Sequence, residues 1–323
     1  MSQNFTDESP ASIPDLLRTA LRTLPIIRTP HSCYRMLFAA AEREPREQSG
    51  IGGRWLRITF VPFVDWLPVA RRSARSRIII GTSGWSYQSW RGPFFPREVM
   101  VKHHLRYYAS QFITAELNGV FYRTPSLDAV RGWRDQTPQD FVFAWKASKF
   151  ITHWKRLSDR SRNSLELIEE RLDILGHKAG PVLFQLPARF EADADRLSSF
   201  IRLLNRKRRY AFEFRHASWY DDEIYKILRR HDIALCISDH HDAPAPWLAT
   251  AKHVYIRGHG PGGTYKGHYS DTALKTWARA IAAWCRQRRV IYVYFDNDQK
   301  SAAPADAARL RGVLRNIHKL DVW

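Results

Sequence analysis

Within Arg209-Tyr-Ala-Phe-Glu-Phe-Arg-His-Ala-Ser-Trp219, a carboxylate, Glu213, lies inside an apolar run, and a guanidinium (Arg215), an imidazole (His216) and an indole (Trp219) follow it. A carboxylate taken out of water is costly unless it is paired or hydrogen-bonded, so this grouping must be matched by charge or by a ligand. The arrangement recurs. Apolar runs end in Glu116 and Asn118, in Lys146, in Gln185, in Asp239, in Arg257 and His259, and in Asp296 and Asn297. Two carboxylates, Glu213 and Glu116, can divide acid and base roles when their surroundings separate their pKa values. Asp239 adds a third acid. Arg215, Arg257 and Lys146 would hold an anionic group, and His216 or His259 would carry protons. Asn118, Gln185, Asp296 and Asn297 supply polar contacts to a substrate. Each residue alone has a plainer reading, above all Glu213 as the structural ion-pair partner of Arg215 or Lys146. It is the repetition at successive run ends that points to a site.

The runs that must position these groups read as eight short strands at 78–81, 114–117, 141–146, 182–185, 210–214, 234–237, 254–257 and 290–295. Helical periodicity fills 99–112, 126–134, 164–175, 193–204, 221–230, 271–288 and 305–314. Ser126 is a helix N-cap, Gly176 a helix stop, and Pro187 ends the fourth strand. A Pro-rich loop without a helical pattern joins strands six and seven. Such alternation implies a parallel sheet. Eight strands over about 240 residues fit a single α/β domain, a (β/α)8 TIM-barrel-like fold whose catalytic groups stand at the C-terminal strand ends. A doubly wound open sheet is the alternative. It usually carries a Gly-rich fingerprint after its first strand, and Gly81-Thr-Ser-Gly84 lacks that spacing.

Residues 1–77 differ from the rest: they hold no lysine, scattered proline and no strand–helix alternation, and only 12–24 and 33–43 look weakly helical. They read as an irregular extension outside a barrel domain at 78–318. Arg18 and Arg22 interrupt the one candidate leader segment, and no apolar run is long enough to cross a bilayer. Cys33, Cys236 and Cys285 are few, odd in number and far apart, which suits a reducing cytoplasm. The net charge is +19, of which residues 1–77, with twelve Arg and seven acids, hold only +5. A basic domain favours small anionic ligands or nucleic acid as partner.

The motifs Gly81-Thr-Ser-Gly-Trp-Ser-Tyr87, Glu116-Leu-Asn118 with Phe121-Tyr122, Phe143-Ala-Trp-Lys-Ala-Ser148, Leu183-Phe-Gln-Leu-Pro187, Phe212-Glu-Phe-Arg-His-Ala-Ser-Trp219, Arg257-Gly-His-Gly-Pro261 and Tyr294-Phe-Asp-Asn297 stand in one order over residues 78 to about 315. In this they resemble the YecE-like family, domain of unknown function 72. The resemblance implies a TIM-barrel-like fold and no settled reaction. The last motif has Asp296 where the family pattern would have Asn, which adds a carboxylate.

The loop Gly258-His-Gly-Pro-Gly-Gly263 follows strand seven, where barrels often bind phosphate. Gly258, Gly260, Gly262 and Gly263 would bring backbone N–H groups to an anion, with Lys266 adding charge; the plainer reading is a Gly-rich turn. Asp239-His-His-Asp242 has metal-ligand residue types, but adjacent His240 and His241 are expected to point apart, so neither metal nor cofactor is expected. Trp85, Trp90, Trp219, Tyr122, Tyr265 and Tyr269 would line the same face as stacking surfaces, while Trp145, inside strand three, reads as core. The sequence thus supports a cytoplasmic barrel enzyme doing metal-independent acid–base chemistry, of hydrolase or lyase type, on a small polar or anionic substrate. Its rivals are a nucleic-acid-binding or nucleic-acid-processing protein and a barrel that binds a ligand without turnover. Since no motif lies in residues 1–77, a chain beginning at Arg77 is expected to be soluble and to melt within a few degrees of the full-length protein by circular dichroism; insolubility or a much lower Tm would move the boundary.

Overall fold

A computed structural model describes residues 78–320 and Val322. The extension expected over residues 1–77 lies outside the described residues. Eight parallel strands, β1 (Ile78–Ser83), β2 (Thr114–Leu117), β3 (Val142–Lys146), β4 (Ala179–Gln185), β5 (Tyr210–Glu213), β6 (Ala234–Ser238), β7 (His253–Gly258) and β8 (Val290–Phe295), close into a barrel in sequence order. The ring is completed where β1 pairs with β8, Thr82 beside Phe295. This is the (β/α)8 fold the sequence implied. Among the described residues seven α-helices follow the strands: α1 (His104–Gln111), α2 (Leu127–Asp135), α3 (Arg162–Leu175), α4 (Ala194–Ile201), α5 (Asp222–Arg230), α6 (Asp271–Arg286) and α7 (Ala302–His318).

Strand side chains alternate between faces, and the two faces bury different things. Ile78, Ile80, Ala115, Leu117, Phe143, Trp145, Val182, Phe184, Phe212, Leu235, Ile237, Val254, Ile256, Ile291, Val293 and Phe295 point outward into one large core shared with the helices. The inward set forms a separate cluster. Ala144, Ala211 and Ala234 on β3, β5 and β6 leave the room that Tyr255, Tyr292 and Tyr294 of β7 and β8 fill. Large side chains thus come from one side of the barrel and small ones from the other, which packs the interior without voids. The tyrosine hydroxyls find partners there: Tyr294 Oη lies 2.8 Å from Thr114 Oγ1, and Tyr255 Oη donates to Glu116 at 2.6 Å.

Local signals act where the sequence placed them. Ser126 Oγ accepts from Ala129 N at 3.2 Å, and Asp193 Oδ1 from Arg196 N at 2.9 Å, capping α2 and α4. Gly176, at φ 58°, ends α3. Helix α7 begins at Ala302, earlier than expected, because Pro304 sits in its first turn, where a missing N–H costs nothing. No helix spans the β6–β7 connection. Trp247 covers that side instead, stacked on Trp284 at 5.9 Å and edge-on to Trp277 at 5.5 Å, both from α6.

Gly81 allows the closest approach in the barrel wall. A Cβ there would lie 2.2 Å from the Thr114 carbonyl oxygen and 3.0 Å from Tyr108 Oη. Gly81→Ala is expected to cost about 1–3 kcal/mol through overpacking, read as a lower urea midpoint at unchanged slope.

Candidate active site

Each strand contributes its last inward residue to one layer at the C-terminal end of the barrel: Ser83, Lys146, Gln185, Glu213 and Ser238 end β1, β3, β4, β5 and β6, Glu116 and Arg257 stand one residue before the ends of β2 and β7, and Asp296 directly follows β8. All eight are polar. Cross-strand register sets Ser83 beside Glu116, Gln185 beside Glu213 and Ser238 beside Arg257.

Arg257 is the centre, fully buried. Its Nε donates to both oxygens of Glu116 at 3.1 and 3.0 Å, and Nη2 to Glu116 Oε1 at 2.8 Å. Nη1 reaches Glu213 at 2.8 Å, and Nη2 reaches Asp296 at 2.7 Å and Ser83 Oγ at 3.2 Å. The carboxylate added by Asp296 therefore joins the same guanidinium. Arg215 Nε donates to the other oxygen of Glu213 at 2.6 Å, and Ser238 Oγ to that oxygen at 3.2 Å. The two guanidiniums also fix His259. Arg257 Nη1 lies 2.9 Å and Arg215 Nη2 3.3 Å from its Nε2. Both are donors only, so Nε2 must accept and the ring proton sits on Nδ1, toward Ser238 Oγ at 3.3 Å and Asp239 at 3.4 Å.

These bonds decide the ionisation. Burial alone would raise the Glu213 carboxyl, but Arg215 and Arg257, then Lys146, outweigh it and hold the group well below the usual carboxylate range. Burial would likewise lower Arg257, and Glu116, Glu213 and Asp296 push it well above its ordinary value. Glu213 is thus held toward its anionic form by the two guanidiniums it accepts from.

The outer side of the layer is different. Lys146, 6% exposed, makes one hydrogen bond, to Asn118 Oδ1 at 3.1 Å, and its ammonium stands 4.5 Å above the Phe121 ring. Among the described residues no carboxylate is within ion-pair distance of it. Burial, helped by Arg257, lowers its pKa to about 8, with Asp296, Glu116 and Glu213 opposing. His153, on the π-helical turn Phe150–Trp154 after β3, packs edge-on against Phe121 at 5.2 Å. Burial first, then the cations Lys146, Arg215, Lys149 and Arg156, lower its pKa to about 4. Tyr87 Oη donates to the Ser83 carbonyl at 2.6 Å and is raised by burial and by Asp296 and Asp298. Tyr265 Oη accepts from both terminal nitrogens of Arg215 at 3.3 Å. Next to this rim opens a cleft of about 1020 Å³, lined by Trp85, Tyr87, Asn118, Tyr122, Trp133 and Arg171.

Several expected contributors stand elsewhere. His216 turns outward and joins its own turn, Nδ1 lying 2.8 Å from Ser218 Oγ. Asn297, one residue past the inward Asp296, faces α7, donating to Gly267 O at 2.7 Å and Asp306 at 2.9 Å. Trp219 is fully buried, stacked on Phe214 at 4.7 Å, and Trp90 is equally buried; both are core, as Trp145 is. Asp239 orders a loop rather than the cluster: it accepts from His259 N at 2.7 Å and from the Tyr269 hydroxyl. In the Gly258–Gly263 loop, Gly260 N donates to Tyr269 Oη at 2.7 Å and Gly263 N to Gly260 O at 2.8 Å. Gly263, at φ 70°, is required because a Cβ would meet Asp239 O at 2.3 Å. The Gly260 and Gly263 amides are thus already paired, while Gly262 and Lys266 face solvent. His240 and His241 do not point apart: their ring centroids lie 4.3 Å from each other at a tilt of 33°, with Asp242 within 3.4 Å of one and 3.2 Å of the other. Ser83, Ser238, Tyr255, Tyr87 and His153 were not singled out from the sequence, although the first four follow from counting inward positions or from the Gly81–Tyr87 motif.

The chain belongs to the family described as protein of unknown function DUF72, whose model matches residues 79–321. It is 30% identical over 147 residues to the UPF0759 protein YecE of Escherichia coli K12, covering 44% of this chain and 50% of that one. It is 26% identical over 157 residues to the UPF0759 protein YunF of Bacillus subtilis, covering 46% and 54%. The chain thus spans about half the length of the curated relatives it matches. A crystal structure of a DUF72 family protein from Thermotoga maritima is similar at a TM-score of 0.67 and 27% identity, over 74% of this chain and all of that one. A DUF72 family protein from Enterococcus faecalis shares the fold, at a TM-score of 0.64, 18% identity and coverage of 74% and 95%.

Glu213→Gln leaves Arg215 and part of Arg257 unmatched in the interior. It is expected to cost roughly 3–5 kcal/mol. The folded carboxyl is held below its usual 4.5, so its contribution is present above that value and lost as pH falls through the folded pKa. The deficit of the variant in urea denaturation should therefore be full at pH 7 and narrow in strong acid. A variant as stable as the parent at pH 7 would remove the ion-pair assignment.

Proposed function

We propose that this DUF72 protein is an enzyme that performs acid–base chemistry on a small, polar, anionic substrate at the C-terminal face of its barrel. The observation that carries this reading is the surroundings of His153, where the strongest charges acting on the ring are the cations Lys146, Arg215, Lys149 and Arg156. Arg215 and Arg257 are already matched by buried carboxylates, whereas Lys149 and Arg156 are held only over aromatic rings, those of Tyr122, Trp154 and Phe190. An anion at this edge would gain charge-assisted hydrogen bonds without displacing an internal partner. The anion site thus moves from the β7 loop to the β3 loop. Proton transfer falls to Lys146, whose pKa lies near neutrality, in place of Glu213. The chemistry is metal-independent on the present residues, since the mouth carboxylates already hold guanidiniums and a cation among them would meet two positive charges. Sparse, separated cysteines support a cytoplasmic setting, and no helix among the described residues is long and apolar enough to cross a membrane.

A second reading, single-stranded nucleic acid, is favoured by one patch: Tyr122, Phe150 and Trp154 are exposed on the rim, with Lys149 and Lys155 over their rings. Basic residues and open aromatic faces together suit stacked bases.

Inorganic phosphate and small phosphorylated or carboxylated metabolites are expected to raise the Tm in differential scanning fluorimetry. Arg156→Ala and Lys149→Ala should each weaken that binding by about tenfold to a hundredfold, the loss of one charged hydrogen bond, and Lys266→Ala should leave it unchanged. Loss in Lys266→Ala alone would return the site to the β7 loop. Steeply salt-dependent binding of oligonucleotides, with no response to small anions, would favour the second reading.

A further inference from the structure

Among the titratable groups of the mouth, Lys146 is held in a way that suits covalent chemistry. Its neighbours in the layer are saturated. Glu116, Glu213 and Asp296 each accept from Arg257, and Glu213 also from Arg215. The amine is left with an amide oxygen, Asn118 Oδ1 at 3.1 Å, and an aromatic face, Phe121 at 4.5 Å. Neither partner holds a proton on nitrogen as a carboxylate would. Asn118 also lines the open cleft, and the same Phe121 ring is in contact with His153, at the cationic edge. A molecule with an anionic group over His153 would thus bring a carbon a few atoms away within reach of Nζ.

We infer that Lys146 is a nucleophile that forms an imine with the carbonyl group of an anionic aldehyde or ketone bound in the barrel mouth. The inference rests on the reading above that the mouth binds a small anion. Neutral Nζ adds to the carbonyl carbon, and the carbon–oxygen π pair moves to oxygen. The proton that nitrogen loses and the proton that oxygen gains balance, giving a carbinolamine. The C–O bond then breaks with a further proton, water leaves, and the nitrogen pair forms C=N, a protonated iminium. The net change is amine plus carbonyl plus one proton giving iminium plus water, and no redox partner enters. The buried setting favours each stage. It maintains a neutral fraction of the amine at physiological pH, and the nearby Glu116, Glu213 and Asp296 carboxylates stabilise the iminium charge. The plainer role of Lys146, a cation that balances the third carboxylate, calls for a direct ion pair, which its amine does not make.

The test uses the full, unaltered chain and two probes, glyceraldehyde 3-phosphate and glyceraldehyde, each at one equivalent with sodium borohydride, followed by peptide mass mapping. The phosphorylated probe is expected to give one stable adduct, on the peptide containing Lys146, in preference to the other eleven lysines of the chain. Its yield should rise with pH to half its maximum near pH 8, the lowered pKa of this amine, where an exposed lysine would still be rising. Adducts spread over exposed lysines such as Lys266, with none at Lys146, would overturn the inference. Phosphate protection separates it from the reading on which it rests. If phosphate binds and the Arg156→Ala variant loses that binding, yet Lys146 is never trapped, the nucleophile is wrong and the anion site stands. If both probes label Lys146 equally and phosphate does not compete, the nucleophile stands and the anion site is wrong.

Discussion

The guanidinium of Arg257 is the constraint on which the upper half of the barrel depends. A full charge without solvent access is tolerated only when every donor is accepted, and here Nε, Nη1 and Nη2 are shared among Glu116, Glu213, Asp296, His259 and Ser83. Those acceptors come from β1, β2, β5, from the end of β8 and from beyond β7. Only a closed sheet brings them around one point. A lysine there would present a compact charge with three donors and no planar fork, so it would leave acceptors unmatched. The closure of the barrel and the composition of its top layer are therefore one requirement seen from two sides.

Matching the charges so completely has a chemical price: the groups with the most acid–base potential on paper are the least free to use it. Glu213 stays ionised between two arginines, and the His259 lone pair is taken by guanidinium N–H groups. The groups outside this arginine-centred network are Lys146, in the same layer, and His153 and Tyr87 at its rim. The site is a rigid ionic floor beneath a small set of adjustable groups, and the aromatic ring of Phe121 touches both the Lys146 amine and the His153 imidazole.

The fold was largely legible because it is written in local periods: short apolar runs alternating with amphipathic segments, with Ser126, Asp193 and Gly176 at the expected boundaries. The layer of polar strand ends was legible for the same reason. What failed was parity and distance. Asn297 and His216 each follow an inward residue, Asp296 and Arg215, by one position, so the strand period alone sends them outward. Reading residue type without that count placed them in the site. The pairing of Glu213 with two guanidiniums at once was not legible, because it depends on arginines from two strands converging in space. His153 was missed for a related reason: its role comes from four cations scattered between positions 146 and 215 that meet only in the folded chain. The Gly258–Gly263 run shows that glycine can signal tight backbone packing as readily as ligand access.

The missing helix between β6 and β7 bears on how the chain assembles. Elsewhere in the described residues each strand is followed closely by a helix that can cover it, so burial proceeds through contacts near in sequence, which form quickly. The stretch after β6 has no such cover of its own. Trp247 finds its partners, Trp277 and Trp284, only in α6. During synthesis, the first six strands can therefore emerge and gather their helices while this seam stays open. Closing the ring also needs the pairing of β1 with β8, between strands at opposite ends of the barrel sequence, the kind of non-local contact that forms slowly.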